Sequence, residues 1–399
     1  MRKFVFILSI LFLINSCVDI TTKNPYGNNL STLNISASVP EQPGVVFNGL
    51  EIKVSDINNG TEFIVAADGN GQGSIEITGG VYQISASYAV GDDLFNASVR
   101  TYVRGKENNV ALLLSPIFTG DIVFKEIYSG GCSKAPIEGE YQSDKYIMLH
   151  NNADRVVYLD SLCIGTLFPY NSNSSNPWGD IPEDYCPVAQ AVWQIGGDGT
   201  SFPLEPGEDA VVVVNGAIDH SATFPESVNL NKEDYFVMYN ATYFPMVTYH
   251  PAPGDKIRPE RIVNVVIKTG QANAYTFSMS SPAAVIFRAK GTTIQDFVAD
   301  AANNVIQVPG SSIDRTVKVP VDWIEDAVEV YDGRSSSNRK RFLSSLDAGY
   351  VSLSNVYLGH SLVRRVNERK SAEKGYEILV DTNNSSNDFY ESGRQLLHQ

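Results

Sequence analysis

Cysteine is scarce, with four in 399 residues, and tryptophan and histidine are scarcer than usual too, with three and five. No Cys-x-x-Cys pair occurs, so neither a zinc ribbon nor a dithiol redox centre is expected. There is no His-Glu-x-x-His and no Gly-x-Ser-x-Gly elbow, and His150, His220, His250, His360 and His398 stand apart from obvious partner ligands in the sequence. No metal, no cofactor and no catalytic residue is therefore expected, and an active site would have to be assembled from residues scattered along the chain. Basic charge is also short: 30 Lys and Arg against 45 Asp and Glu, a net charge of −15. A surface of that sign repels phosphate backbones, which argues against a nucleic-acid partner. Arg339, Lys340 and Arg341 do gather in a Ser-rich stretch, but three such residues read as solvated. Beyond residue 14 no apolar run approaches the ~20 residues a membrane-spanning helix needs.

What is present begins at the N-terminus. Arg2 and Lys3 precede an apolar stretch, Phe4 to Ile14, interrupted only by Ser9. As a helix it would cover ~16 Å at ~1.5 Å per residue, too short for a hydrocarbon core of ~30 Å, and it has the length of a secretory leader. It runs into Leu13-Ile14-Asn15-Ser16-Cys17, which resembles the lipobox of bacterial lipoproteins. The resemblance implies a signal peptide over 1–16, a lipidated Cys17, a short tether over 17–29 and a protein anchored in the outer membrane, on its periplasmic face or at the cell surface. Acyl chains contributing ~0.8 kcal/mol per buried CH₂ would make that anchor permanent. With Cys17 so used, Cys132, Cys163 and Cys186 remain. In an exported chain this odd number reads as one disulfide and one free thiol, with three pairings open. Loop-like surroundings favour Cys132 with Cys186, and Cys163, after a strand-like run, should be the most buried.

The body reads as all-β. Leu33, Ile35 and Ala37 alternate with polar residues, as do Leu50, Ile52 and Val54, then Ile75 and Ile77, then Tyr82, Ile84 and Ala86. Period two with one apolar face is the half-buried strand pattern. Between these runs lie Asn58-Asn59-Gly60, Asp68-Gly69-Asn70-Gly71 and Gly79-Gly80, residues that tolerate the positive φ of tight turns. The Gly69–Gly73 stretch lacks the Lys-Ser/Thr of a phosphate-binding loop and is read as a hairpin turn. A first β-sandwich thus spans 30–115 and closes near Val110 to Leu114. After Ser115-Pro116 a second series begins: Ile122 to Tyr128, Tyr146 to His150, Val156 to Leu159, Ala210 to Val214, Tyr235 to Tyr239 and Ser361 to Arg365. One helix is expected, around Thr293 to Ala302.

The order Leu-x-Ile-x-Val, turn, Asp-Gly-x-Gly, Ile-x-Ile, Gly-x-Tyr-x-Ile in the first unit resembles the transthyretin-like or carboxypeptidase-regulatory-like module, which implies a spacer without activity. The second series, with Leu204-Glu205-Pro206-Gly207, Ser361-Leu362-Val363-Arg364 and Asp381-Thr382-Asn383-Asn384, resembles the lamin-tail domain, an elaborated immunoglobulin-like sandwich. It departs from that pattern at Met148, Leu162 and Asn383-Asn384. It fills 118–399, about twice the minimal length, with insertions near 165–200 and 240–320. The whole layout resembles an uncharacterised family of Bacteroidota-type surface lipoproteins, implying a location and an accessory role, with an outer-membrane TonB-dependent receptor as a candidate partner.

Candidate ligand-binding residues are the loop aromatics Phe168, Tyr170, Trp178 and Tyr185, and a second group of Tyr243, Phe244 and Tyr249 beside Pro245, Pro251 and Pro253. Rings on loops offer contact area at little entropic cost, which suits recognition. The same rings would serve equally to cap the ends of a sandwich. Asp68-Gly-Asn70 and Asp381-Thr-Asn383-Asn-Ser385 leave a structural calcium open, although neither has the bidentate Glu of a calcium loop. Asp160-Ser161-Leu162 matches a short pattern of bacterial O-glycosylation. The function expected is a non-catalytic, membrane-anchored binding or accessory protein. The alternatives are a hydrolase of glycan or peptide with a dispersed site, and a structural or adhesive surface protein.

Overall fold

The computed structural model describes residues 30–398 apart from 59, 92 and 118. The leader and tether expected from the sequence, with Cys17, lie outside the described residues. Those described form the expected all-β architecture, two sandwiches in sequence order.

The first sandwich stacks two sheets. In one, Leu30–Ser38 lies between Gln72–Thr78, antiparallel to it, and Glu107–Leu113, parallel to it. In the other, the order is Glu62–Ala66, Glu51–Asp56, Gly80–Val90, Asp93–Val103 and Ser115–Pro116. The apolar positions read from the sequence point inward: Leu33, Ile35, Ile52, Val54, Tyr82 and Ile84 share one buried cluster with Phe95 and Leu112. The 68–73 segment is not a hairpin turn. It carries the chain from Glu62–Ala66 in one sheet to Gln72–Thr78 in the other, with the Asp68 carboxylate accepting the backbone N–H groups of Asn70 and Gln72, both at 2.8 Å. Gly71 holds φ +77° there, with its Cα against the Ala37 carbonyl where no side chain fits.

The second sandwich has a six-stranded sheet in the order Phe236–Val237, Asp209–Val213, Tyr146–Asn151, Ile122–Tyr128, Ser361–Arg364, Phe389–Ser392. Facing it is an eight-stranded sheet in the order Val305–Gln307, Arg315–Pro320, Tyr185–Gln194, Cys163–Leu167, Ala283–Phe287, Ile324–Asp332, Val351–Leu353, with Asn264–Lys268 also on Tyr185–Gln194. Residues 165–200 and 240–320, read from the sequence as additions, supply five of these strands. Between the sheets lie Phe124, Ile147, Leu149, Val212, Ile164, Trp193, Ile286 and Val330. The alternate residues Tyr146, Met148, Val211 and Val213, with Val237 beside them in the sheet, face outward but are covered by Val228 and Leu230. On the far side of the other sheet, Cys163, Val188, Val285 and Phe287, with Val317 and Val319 of the same sheet, are packed against Ile294, Phe342 and Leu346. Cover on both faces explains why Ala283–Phe287 is apolar at every position instead of alternating. The expected helix is present as Ile294–Ala299, capped by the Thr293 side chain accepting from the Asp296 N–H. A second helix, Glu368–Lys374, capped by Asn367 and ended by Gly375 in the left-handed region, was not anticipated.

The two units meet through polar atoms. Asn96 Nδ2 donates to the Thr382 and Asn383 carbonyls, Arg100 Nη1 to the Asn338 carbonyl at 3.1 Å, Ser344 Oγ to the Ser98 carbonyl at 3.0 Å and Asn384 Nδ2 to Ser87 Oγ at 3.2 Å.

Several local expectations change. Arg341 is not solvated: it is buried in an ion pair with Glu329, Nη2 to Oε1 at 2.6 Å, while Nη1 donates to the Ser281 carbonyl at 2.9 Å. Asp160 belongs to a fold motif, its carboxylate accepting backbone N–H groups of Gly199, Ser201 and Phe202. Burial opposes ionisation there, but those three donors outweigh it and hold the Asp160 carboxyl below its ordinary range. Cys132 and Cys186 do not pair. All three described cysteines are free and buried, Cys132 with its sulfur 3.6 Å from Asp144 Oδ2, Cys186 in the apolar layer that also holds Cys163. Burial pushes each thiol up to about 12, which makes them inert.

A buried charge cluster ties together the two sheets of the second sandwich. The Arg364 guanidinium meets Asp326 Oδ2 at 2.5 Å, Asp381 Oδ1 at 3.0 Å and Asp388 Oδ2 at 3.5 Å, donates through Nε to the Phe124 carbonyl at 2.7 Å, and lies over the Phe389 ring. Asp381, one of the two calcium candidates from sequence, is thus turned to a guanidinium. One positive group among three carboxylates leaves excess negative charge, and burial pushes Asp326 and Asp388 up to about 7 against the attraction of Arg364.

Two predictions follow from this packing. Arg364→Met leaves three buried carboxylates uncompensated and should cost about 3–5 kcal/mol in chemical denaturation. Because folded Asp326 and Asp388 hold protons more tightly than the unfolded chain does, their contribution is full below pH ~4 and is lost as pH rises through ~7, with a slope of up to ~1.4 kcal/mol per pH unit for each proton. Asp388→Asn should flatten that descent, and a wild-type stability profile already flat between pH 5 and 7.5 refutes the assignment. For the thiols, Cys132, Cys163 and Cys186 should resist a maleimide reagent in the native protein and react together in guanidinium. Unreactive thiols in unreduced, denatured protein, recovered by dithiothreitol, would show that a disulfide forms after all.

Candidate functional site

A cleft of about 620 Å³ opens where the segment joining the two sandwiches crosses the second one. Its walls come from five places in the chain: Thr119, Gly120 and Asp121 of the connection, Asp184, Lys290, the run Val321, Asp322, Ile324 and Glu325, and Ser345 with Leu346. Backbone pairing brings these together. The Gly120 N–H donates to the Glu325 carbonyl at 3.1 Å, and the Val321 N–H to the Asp184 carbonyl at 3.2 Å. Gly120 is required by that approach, because a Cβ on it would lie 2.5 Å from the Glu325 carbonyl oxygen.

The cleft pairs an apolar floor of Val321, Ile324 and Leu346 with a one-sided rim of charge. Four carboxylates, Asp121, Asp184, Asp322 and Glu325, face one ammonium, Lys290, whose Nζ donates to the Asp322 carbonyl. Glu325 is the most constrained: Oε1 accepts from Arg288 Nε at 2.7 Å, and buried Oε2 has no hydrogen-bond partner. Burial raises its carboxyl above the ordinary range, Arg288 opposes this, and the Asp121 charge adds to it. Asp121 pairs with exposed Arg155 at 2.5 Å, a contact that solvent screens. A pocket with apolar walls, convergent carboxylates and a perturbed acid can hold a small cationic or hydroxyl-bearing molecule.

None of the seven aromatics chosen from sequence lines this cleft. Phe168 and Trp178 pack edge to face on one another, centroids 6.0 Å apart. The Tyr170 hydroxyl donates to the Thr276 carbonyl at 3.1 Å. Tyr185, half-buried beside Asp184, carries the Lys318 ammonium 4.9 Å from its ring centre. Phe244 is a core residue, 1% exposed, set among Trp193, His250 and Tyr275 at 5.6–5.9 Å, because its loop folds back over the open end of the sandwich. Tyr249 accepts from Gln142 Nε2 at 3.2 Å, and Tyr243 alone is well exposed.

The histidines are less isolated than the sequence implies. His150 Nδ1 lies 2.7 Å from Asp209 Oδ1, His360 Nδ1 2.8 Å from Glu391 and His220 Nδ1 2.6 Å from the Tyr141 hydroxyl. His150, Asp209 and Glu377 present ligand atoms within 4.8 Å of one another, as a metal site would. The Lys125 ammonium, 2.5 Å from both carboxylates, already supplies the positive charge, and His150 Nε2 is committed to the Glu377 carbonyl at 3.1 Å. Asp121, Asp184, Asp322 and Glu325 escaped the sequence reading because no fixed spacing marks them.

Residues 205–395 match the model of a family described as a protein of unknown function, DUF4876. Among solved structures the chain is similar to a DUF4876 family protein from Bacteroides thetaiotaomicron VPI-5482, 22% identical over 92% of this chain and 96% of that one, with a TM-score of 0.58. A DUF3823 family protein from Parabacteroides merdae ATCC 43184 also matches, 13% identical over 36% of this chain and 67% of that one, but its TM-score is 0.18. No curated protein matches. The chain thus carries a region similar to an uncharacterised family, DUF4876, and shares its overall fold with a Bacteroides protein of that family.

Proposed function

We propose that the protein is a lipid-anchored, non-catalytic binding component at the outer membrane, held by Cys17 and acting as accessory to an uptake system such as a TonB-dependent receptor. In this reading the first sandwich is a transthyretin-like spacer, and the lamin-tail-like second sandwich offers the cleft beside the connection as the ligand site. The observation that supports it most is the charge of that cleft: four carboxylates over an apolar floor, with the sole ammonium tied to a backbone carbonyl. Such a lining favours an amine-bearing ligand whose carbon skeleton covers Val321, Ile324 and Leu346.

Calorimetric titration of the purified protein with spermidine and putrescine tests the site. Saturable binding that weakens at least about tenfold in Asp121→Asn/Asp184→Asn, at an unchanged melting temperature, is expected. Heats that are absent, or equal in the double variant, defeat the proposal. The anchor has its own test: Cys17→Ser should move the chain from the membrane fraction to the soluble one after leader removal, and retention in the membrane would refute it.

A hydrolase reading is kept for one reason, the raised Glu325 carboxyl close to the Asp121 charge, since an acid beside a carboxylate is what glycan hydrolysis uses. It is disfavoured by the Arg288 contact, which holds Glu325 Oε1 in place. Turnover of a glycan panel that disappears in Glu325→Gln would reverse the ranking.

A further inference from the structure

A second depression, about 610 Å³, has the opposite sign to the first. Its walls are the turn Gly196, Gly197 and Ser201 on one side and Arg258, Glu260 and Arg261 on the other, with Phe202 and Asn264 between. The pairing of Gln194 with Asn264 across neighbouring strands sets these two segments side by side. The turn is rigid, because Asp160 accepts its N–H groups from Gly199, Ser201 and Phe202 at 2.9–3.0 Å.

Arg261 is the unusual member. Its guanidinium lies over two rings at once, 4.9 Å from the Phe202 centroid and 4.4 Å from that of Phe236. It forms no ion pair among the described residues, although acids outnumber bases by half in this chain. Its Nε is buried without a hydrogen-bond partner. Arg258 adds a second positive group, anchored through Nε to the Glu233 carbonyl at 3.0 Å and only 3.7 Å from exposed Glu260. Arg341 and Arg364 are saturated by carboxylates, Glu329 and three aspartates respectively, and Arg100, whose buried Nε is likewise unmet, spends Nη1 on the Asn338 carbonyl. A planar guanidinium braced between two rings set at 82° to each other, with no side-chain hydrogen bond among the described residues, has its terminal N–H donors free for an oxyanion. Capping the core edge over Phe202 and Phe236 accounts for the stacking but leaves the unused Nε donor and the adjoining Arg258 unexplained.

We infer that Arg261 and Arg258 form an oxyanion-binding site, distinct from the acidic cleft, that takes a carboxylate or sulfate borne by a small ligand. The site does not depend on the amine-binding reading of the other cleft. Sodium sulfate and sodium citrate, titrated at constant ionic strength against sodium chloride, distinguish the two anion types by thermal shift and calorimetry. Saturable binding of at least one is expected, weakened about tenfold or more in Arg258→Gln and in Arg261→Lys, which keeps charge but loses the planar fork. Arg369→Gln, on a helix outside both sites, should bind as the native protein does. Arg258 is largely exposed, so its variant keeps the test decisive even if Arg261→Lys unfolds. No binding beyond chloride, native affinity in Arg258→Gln, or an equal loss in Arg369→Gln overturns the inference.

Discussion

The buried guanidinium of Arg364 is the interaction on which the second sandwich turns. It touches one sheet through the Phe124 carbonyl, the facing sheet through Asp326, and the 381–388 loop through Asp381 and Asp388. Desolvating an arginine costs several kcal/mol and is tolerated only where its donors are met. Here they are met by three segments far apart in sequence, so the contact forms only when the whole sandwich is assembled. Asp388 extends the effect: its carboxylate also accepts from the Thr382 and Asn384 N–H groups and the Thr382 hydroxyl, shaping the loop whose carbonyls receive Asn96 of the first sandwich. The relation between the two units therefore rests on the same charge cluster as the core of the second.

Polar contact between the units has a consequence for the sites. An apolar interface would hide the connection, whereas this one leaves residues 119–121 at the surface, where they wall the acidic cleft. Within the second sandwich, charge is segregated. Acids collect beside the connection, while Arg258 and Arg261 sit beside the strand pair Tyr185–Gln194 and Asn264–Lys268. In a chain of net charge −15 the acidic cleft follows from composition. The basic depression does not, and it persists because two aromatic faces replace the carboxylates that would otherwise neutralise Arg261.

The strands were legible where burial follows a period. Leu33-Ile35-Ala37 and Ile52-Val54 alternate because one face of each is wet, and the runs Ile122 to Tyr128 and Ala210 to Val214 stand out because both faces are covered. Asp93–Val103 was not legible: Asn96, Ser98 and Arg100 occupy positions that face the second unit, so its alternation is polar against mixed. The aromatics misled for a related reason. Phe244 stands among prolines as a recognition loop would, yet its ring fills space between the sheets.

By itself the sequence determined the all-β class, the alternating strand runs and the excess of acidic over basic residues, because periodicity, turn residues and charge balance are local or additive. Only the tertiary structure decided which charges are neutralised and which stay available. Asp381 and Arg341 are held in buried pairs, the cysteines are kept apart, and Asp121, Asp184, Asp322 and Glu325 converge from three segments while Arg261 forms no ion pair among the described residues. Charge pairing depends on distances of a few ångströms between residues separated by tens to hundreds of positions, and no spacing in the chain encodes those distances.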